Sequence, residues 1–229
     1  MNKILKTFAA CFIGLLPVAT FAKTSEAEQV RKIIDKVNQH WQAENKPEVR
    51  SFWDNAAYHT GNMEAYFLTG NETYRAYSEA WAKHNEWKGA KSNDRSQWKY
   101  SYGESDEYVL FGDYQICFQT YADLYNLAPE DYKIKRAREV MEYQMSTPQN
   151  DYWWWSDGLY MVMPVMTKLY KITHNSLYLD KLYEYITYSD QIMFDKEENL
   201  YYRDAKYVYP KHKSVNGKKD FWARGDGWV

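Results

Sequence analysis

The chain has 229 residues, of which 45% are hydrophobic and 26% charged, and its formal net charge is −2. This length and hydrophobic share fit one domain, or a large part of one, with a sizeable buried core. The mildly acidic balance excludes a general affinity for nucleic acid or anionic membranes, so an anionic partner has to meet a local basic group. The aromatic share is 18%, with 23 Tyr, which fits either surfaces for sugar rings or Tyr-filled seams between helices.

The first 22 residues have the features of a secretory signal peptide. Met1–Lys6 is short and basic, and Thr7–Ala22 is almost wholly apolar but short for a membrane span. Cleavage before Lys23 would leave a domain over residues 23–229. We therefore expect an exported protein, periplasmic or extracellular, with no membrane insertion after cleavage.

Cleavage would remove Cys11 and leave Cys117 as the only cysteine, so no disulfide could form within the chain. Cys117 lies in an apolar helical stripe, which favours a small core residue over a reactive one.

Helical periodicity dominates the rest of the chain. Apolar residues recur at three- and four-residue steps, which indicates amphipathic helices, and Leu200–Tyr209 alone has β-like character. The predicted helices are 25–44, 54–68, 72–87, 109–126, 131–146, 156–173 and 177–192.

A short breaker between two helices recurs three times, at a spacing of about 50 residues. The breakers are Thr69–Asn71, Asn126–Pro129 and Thr173–Asn175. Short breakers make antiparallel neighbours, so each unit is a helical hairpin that has to stack on another to bury its apolar stripe. Such stacks form an open solenoid or a closed ring. The sequence stops at Val229, where the pattern predicts the start of another helix, so we expect an incomplete domain.

Several common sites are missing from the sequence. It contains no Gly-rich phosphate loop, no His-Glu-x-x-His motif and no Cys-x-x-Cys pair, and its five His do not share a helix face at ligand spacing. Asp195–Asn199 faintly resembles a calcium loop, but Leu200 stands where the turn needs Gly, which favours a solvated charge run. We therefore expect no cofactor and no metal site.

Asp157 follows three consecutive tryptophans and opens a predicted helix. Burial beside Trp155 and its neighbours would raise the carboxyl pKa, which suits a general acid near neutral pH. The alternative is that Ser156 or Asp157 only caps the helix N-terminus. Asp113 also starts a helix, and the same two interpretations apply to it.

A second cluster lies at the end of the chain, in Phe221–Trp228. Trp222 and Trp228 flank Arg224, and glycines between them allow close backbone approach. Arginine can hold a carboxylate through two parallel hydrogen bonds while tryptophan offers a stacking face, so the cluster suits an acidic sugar. The alternative is a Gly-rich turn with packed Trp.

At these residues the sequence resembles the unsaturated glycuronyl hydrolases, glycoside hydrolase families 88 and 105, and looks closest to the family 105 unsaturated rhamnogalacturonyl hydrolases. The likeness runs from about residue 30 to the end. The segments that carry it, in order, are Trp53–Gly61, Thr69–Tyr74, Asp113–Tyr125, Trp154–Pro164 and Phe221–Trp228. The chain departs from relatives at Asp226, where Asn is common, and in Leu200–Ala205, where relatives often carry His.

The resemblance implies an all-α fold, an (α/α)6 barrel of helical hairpins of the six-hairpin glycosidase type, here incomplete at the C-terminus. It also implies hydration of the C4=C5 double bond of a non-reducing uronic acid left by a polysaccharide lyase. Asp157 would be the acid and base, with Asp113 the second carboxylate. The substrate-binding residues would be Trp222, Arg224, Trp228, His59 and Trp155, and the partner would be an acidic oligosaccharide.

Three other hypotheses stay open from sequence. The chain could be an ordinary glycosidase on the same barrel, with Asp113 and Asp157 flanking one scissile bond. It could be a non-catalytic helical-repeat module that binds glycans through Trp and Tyr. It could also be inactive, because missing helices would leave its core exposed.

Overall fold

The computed structural model describes residues 25–229. The predicted signal peptide over residues 1–22 lies outside the described residues and stays a prediction. Within the described part no helix is long and apolar enough to cross a membrane.

The described chain is mostly helical, and every predicted helix is present. The helices are α1 (Glu26–Glu44), α2 (Trp53–Thr69), α3 (Glu72–His84), α4 (Gly112–Gln115), α5 (Cys117–Leu127), α6 (Tyr132–Ser146), α7 (Ser156–Thr173), α8 (Leu177–Met193) and α9 (Ala223–Trp228). A 3-10 turn lies at Arg95–Gln97, and the short strands β1 (Phe194–Asp195) and β2 (Leu200–Tyr201) pair antiparallel.

The three predicted breakers are the turns of three antiparallel hairpins, α2–α3, α5–α6 and α7–α8. Two of them end a helix in the same way, because Gly70 and His174 both adopt left-handed backbone at φ 69° and 55°. An Asn precedes the next helix in both hairpins. The side chain of Asn71, the N-cap of α3, accepts from the Thr73 N–H, and that of Asn175, one residue before the N-cap of α8, accepts from the Leu177 N–H. Such C-terminal and N-terminal caps satisfy backbone groups that a helix end leaves free.

Two predicted helices are shorter than expected. The helix predicted over 72–87 ends at His84, because Glu86 and Trp87 take left-handed backbone at φ 53° and 58°. The helix predicted over 109–126 begins only at Gly112 and is interrupted at Ile116, whose own backbone stays right-handed helical.

Of the predicted β-like segment Leu200–Tyr209, only Leu200–Tyr201 forms a strand, which pairs with β1 in a small hairpin that closes around Asp195. The Asp195 carboxylate accepts from the Glu197 and Glu198 backbone N–H groups, the Tyr202 hydroxyl and the Lys219 ammonium. These partners hold the pKa of Asp195 well below its usual range, with Lys219 the largest cause. The charge run therefore folds as an ion-paired turn.

Aromatic side chains fill the seams between the hairpins. Trp81, Trp153, Tyr121 and Tyr185 are among the largest fully buried side chains. Cys117 is fully buried beside them, and burial raises the pKa of its thiol, so it is a core residue as predicted. Much of the tyrosine content thus serves packing.

Candidate active site

Asp113 and Asp157 occupy equivalent places in two neighbouring helices. Each is the second residue of its helix, α4 or α7, and these two helices pack against each other. Neither helix has a side-chain cap, and one carboxylate oxygen of each aspartate, Oδ1, is buried without a hydrogen-bond partner in the protein. The capping interpretation is therefore wrong for both residues. Buried polar atoms without partners are uncommon, and a catalytic role is one of the reasons for which proteins keep them.

Burial shifts both carboxyl groups toward neutral pH. Asp113 is 5% exposed, and burial, with the nearby negative charge of Asp157 second, raises its pKa to about 7. Asp157 is 8% exposed, and burial raises its pKa to about 6 against the lowering effect of Arg224 and then Arg203. Two carboxyls whose pKa values are raised toward neutrality can serve as proton donor and proton acceptor near neutral pH.

Trp155 packs between the two helix starts that carry these carboxyls. A Cβ added at Gly112 would lie 3.0 Å from its Cη2, and one added at Gly158 would lie 3.2 Å from its Cζ3. The indole is 6% exposed and packs on Phe111 with ring centroids 4.9 Å apart. Trp155 therefore packs between the helix starts that carry the two aspartates. Its buried indole leaves little ring face for the sugar contact that the sequence predicted.

Helix α9 brings the C-terminal cluster onto the start of α7. The contact is close because Gly225 has no side chain: a Cβ there would lie 2.6 Å from the Ser156 Oγ. Arg224 stacks on Trp222, with its guanidinium carbon 4.1 Å from the ring centroid. Its positive charge acts to lower the pKa of Asp157. The predicted grouping of Trp222 and Arg224 with Asp157 is therefore present in the fold.

Trp228 lies in an aromatic group that the sequence analysis did not anticipate. Its ring packs edge-on against Tyr160, at 4.5 Å between centroids, and against Trp53, at 6.4 Å. Trp53 also lies under Arg224, at 6.0 Å. Trp53 and Tyr160 both fall in segments that carry the family likeness, which is the only signal that could have identified them.

Arg203 was also missed as a neighbour of Asp157. The Ser156 N–H donates to the Arg203 carbonyl at 2.9 Å, and Trp155 pairs with Asp204 in an antiparallel bridge. These contacts fix the segment after β2 against the first turn of α7. Asp226 stands where relatives often have Asn. Its Oδ1 accepts a hydrogen bond from the Tyr201 N–H of β2 at 2.7 Å.

The structure does not bring His59 to this group. Its ring stacks on Trp81 at 4.0 Å, its Nδ1 lies 3.0 Å from the Ser78 Oγ, and it is 2% exposed. Burial lowers its pKa to about 3, so it stays neutral. His59 is a core residue between α2 and α3, and its prediction as a substrate contact finds no support in this placement.

No group of three or more metal-ligating side chains occurs among residues 25–229. What the site offers is a carboxylate pair, two arginines and indole faces.

Stacked helical hairpins with a buried carboxylate pair beside arginine and tryptophan fit the class of helical-barrel glycosidases. The chain belongs to Glycosyl Hydrolase Family 88, whose sequence model matches residues 26–229. The predicted resemblance is confirmed. Together with the helical structure, this membership supports the predicted fold, an incomplete (α/α)6 barrel.

Two solved structures are similar over most of the chain. One, described as a glycosyl hydrolase family 88 protein from Bacteroides vulgatus, is 65% identical with a TM-score of 0.88, over 89% of this chain and 59% of that one. Another, described as a polysaccharide lyase, is 73% identical with a TM-score of 0.87, over 90% of this chain and 58% of that one.

Among curated proteins, an unsaturated 3S-rhamnoglycuronyl hydrolase of Formosa agariphila is 30% identical over 190 residues, which is 77% of this chain and 48% of that protein. A protein of the same name from Alteromonas sp. is 34% identical over 77 residues. The chain thus spans about half the length of the first of these relatives.

Proposed function

We propose that the protein is a hydrolase of the unsaturated uronic acid at the non-reducing end of oligosaccharides that polysaccharide lyases release, and that it acts by hydrating the C4=C5 double bond. The observation that carries this proposal is the pair of buried carboxyls, Asp113 and Asp157, with pKa values of about 7 and about 6 beside Arg224. Hydration needs a proton donor and a proton acceptor at one carbon–carbon bond, and such a pair supplies both.

Arg224 is the group that would hold the substrate carboxylate. Its side chain is exposed and stacked on Trp222, which fixes the plane of the guanidinium. A planar guanidinium binds a carboxylate through two parallel hydrogen bonds. Trp228, half-buried and close to Trp53, would offer its free surface to the sugar ring.

Substrate binding would favour the protonated form of Asp157. In the free protein, burial raises the pKa of both carboxyls. The positive charge of Arg224 opposes the raised pKa of Asp157. The carboxylate of a bound uronate pairs with Arg224 and cancels that positive charge, which favours protonated Asp157.

The chemical step then follows from charge. Protonated Asp157 donates its proton to C4 and becomes a carboxylate, while oxocarbenium character develops at C5. A water molecule adds through its oxygen to C5, and a carboxylate of the pair takes its proton, so one water is consumed. The resulting C5 hemiketal rearranges and releases the remaining sugar. The names of the Formosa agariphila and Alteromonas relatives agree with an unsaturated glycuronyl substrate.

A lyase is the second candidate, because the 73% identical structure is described as one. Arg224 and a carboxylate base could also serve β-elimination. That reaction removes the C5 proton next to the carboxylate, breaks the C4–O bond so that the preceding sugar leaves with the glycosidic oxygen, and creates the C4=C5 double bond that a hydrolase consumes.

One assay separates the two, because the unsaturated uronate absorbs in the near ultraviolet. We expect the protein to bleach this absorbance when mixed with lyase-digested rhamnogalacturonan or glucuronan. An increase in absorbance on the undigested polysaccharides would indicate the lyase. Quenching of tryptophan fluorescence without any change in absorbance would show binding alone and would indicate a glycan-binding module. No change in either absorbance or fluorescence would contradict the proposal.

A further inference from the structure

A cavity of about 280 Å³ lies between the segment after β2 and the start of α9, and has no part in the proposed chemistry. It is lined by Arg203, Tyr207, Asp220, Phe221 and Trp222. We propose that this cavity, the Arg203 cavity, binds the sugar that is linked to the unsaturated uronate, that Arg203 selects this sugar, and that the preferred sugar is uncharged. The inference rests on the proposed function and deepens it.

The position of the cavity follows from Trp222, which borders both sites. Arg224 covers one face of the indole at 4.1 Å, so that face belongs to the group that holds the uronate. Trp222 also lines the Arg203 cavity. A disaccharide with its uronate at Arg224 would therefore reach this cavity with the neighbouring ring.

Arg203 is held rigidly enough to discriminate between ligands. Its backbone is fixed to α7 by the Ser156 N–H, its Nη1 is 3.2 Å from the Asp204 Oδ2, and its guanidinium carbon is 5.3 Å from the Tyr207 ring centroid. The side chain is still 45% exposed. A guanidinium that is braced on one side and open on the other can donate to sugar hydroxyls at little entropic cost.

The charges around the cavity favour an uncharged sugar. Asp204 is 5% exposed at its side chain and offsets Arg203, and Asp220 places a second carboxylate in the lining, 2.6 Å from the His212 Nε2. A sulfate or carboxylate on the second sugar would meet Asp220 and an Arg203 whose charge Asp204 already offsets, while hydroxyls can accept from Arg203 and donate to Asp220. Tyr207, Phe221 and Trp222 supply apolar faces for a pyranose ring.

The test compares two substrates that share the uronate. One is the unsaturated uronyl disaccharide with a neutral second sugar, and the other is the methyl glycoside of the same unsaturated uronate, which leaves the Arg203 cavity empty. We expect Arg203→Gln to lower kcat/KM on the disaccharide relative to the methyl glycoside by at least about tenfold, mainly through KM, because a hydrogen bond from a charged donor is lost. Any change that the variant causes at Asp157 acts on both substrates, so the ratio isolates the cavity.

Lys213→Gln is the matched control, because it removes a positive charge from the same segment while Lys213 only overlies Tyr209; it should leave the ratio unchanged. A sulfated second sugar should raise KM in the unmodified protein, and a lower KM than for the neutral disaccharide would overturn the charge assignment. An unchanged ratio for Arg203→Gln, with bleaching of both substrates intact, would overturn the inference alone. Failure of the unmodified protein to bleach either substrate would instead overturn the proposed function.

Discussion

The side-chain amide of Gln119 donates a 2.9 Å hydrogen bond to the backbone carbonyl of Tyr160, across the contact between α5 and α7. In a regular helix that carbonyl would accept from residue 164, which here is a proline without an N–H. The same amide donates to the Met161 carbonyl at 3.0 Å. Gln119 therefore supplies the hydrogen bond that Pro164 cannot donate to Tyr160. Tyr160 lies one turn after Asp157 in α7, and its ring packs against Trp228.

Replacing Gln119 with Leu should lower the free energy of unfolding by about 1–3 kcal/mol, because it leaves a buried carbonyl without a donor. In a Pro164→Ala background the new backbone N–H can serve Tyr160, so the same replacement should cost about 1 kcal/mol less. Urea unfolding of the four proteins of this double-mutant cycle measures the difference. Equal costs in both backgrounds would contradict the compensation between Gln119 and Pro164.

Asp113→Asn should stabilise the protein at pH 8 and have little effect near pH 4. Burial raises the pKa of Asp113 from 3.8 to about 7, so the folded state holds the proton more tightly than the unfolded state. The free energy of unfolding of the unmodified protein therefore falls as pH rises between these two values, by about 4 kcal/mol at most from this group. Asn resembles the neutral acid and removes that fall.

Thermal unfolding of both proteins at several pH values between 4 and 8 tests this. We expect the variant to gain stability steadily relative to the unmodified protein as pH rises. A constant difference across that range would show that Asp113 titrates normally.

The pH dependence of activity should reflect the same pair. Catalysis needs one carboxyl protonated and the other ionised, so kcat/KM should follow a narrow bell with apparent pKa values of about 6 and about 7 that belong to the pair. Arg224→Gln removes a positive charge that lowers the pKa of Asp157, so the limb set by Asp157 should move to higher pH, and KM should rise.

Arg138→Gln serves as the control for that profile, because Arg138 is an exposed arginine paired with Glu142 on α6. Its pH profile should coincide with that of the unmodified protein. If the pH profile of Arg224→Gln coincided with those of the unmodified protein and of Arg138→Gln, it would contradict the electrostatic link between Arg224 and Asp157.

Gly112→Ala should destabilise the protein by about 1–3 kcal/mol and reduce kcat. The added Cβ would lie 3.0 Å from the Trp155 Cη2 and 3.2 Å from the Val162 Cγ2, and both side chains are buried. Gly61→Ala is a matched control, since a Cβ there meets nothing within 4 Å and Ala is the better helix former. Gly61→Ala should stabilise slightly; equal effects of both changes on stability and activity would show that Trp155 is not packed as described.

The hairpins could be predicted from the sequence because their determinants are local. Periodic apolar residues mark the helices, and Gly70, Asn71 and Asn175 mark the turns. Asp157 stood out for the same reason, since its tryptophans are adjacent in the chain. Trp53 and Arg203 did not, because they reach the site only through the packing of α9 and of the segment after β2.

His59 is the opposite case, a residue that was predicted as a substrate contact but lies in the core. A family-like segment drew attention to it, but helix geometry points it elsewhere: Ala56 and Met63, three residues before and four after it, are fully buried. That spacing places all three on one core-facing side of α2. Periodicity was the better guide for this residue than the motif.

The central claim is that Asp157 carries the proton that goes to C4 of the unsaturated uronate. The most direct measurement is the rate of loss of near-ultraviolet absorbance with Asp157→Asn, beside Asp226→Asn as the control that removes a nearby carboxylate but keeps an acceptor for the Tyr201 N–H. We predict that Asp157→Asn abolishes bleaching while its unfolding transition is kept, and that Asp226→Asn still bleaches. Full bleaching by a folded Asp157→Asn protein would contradict the account.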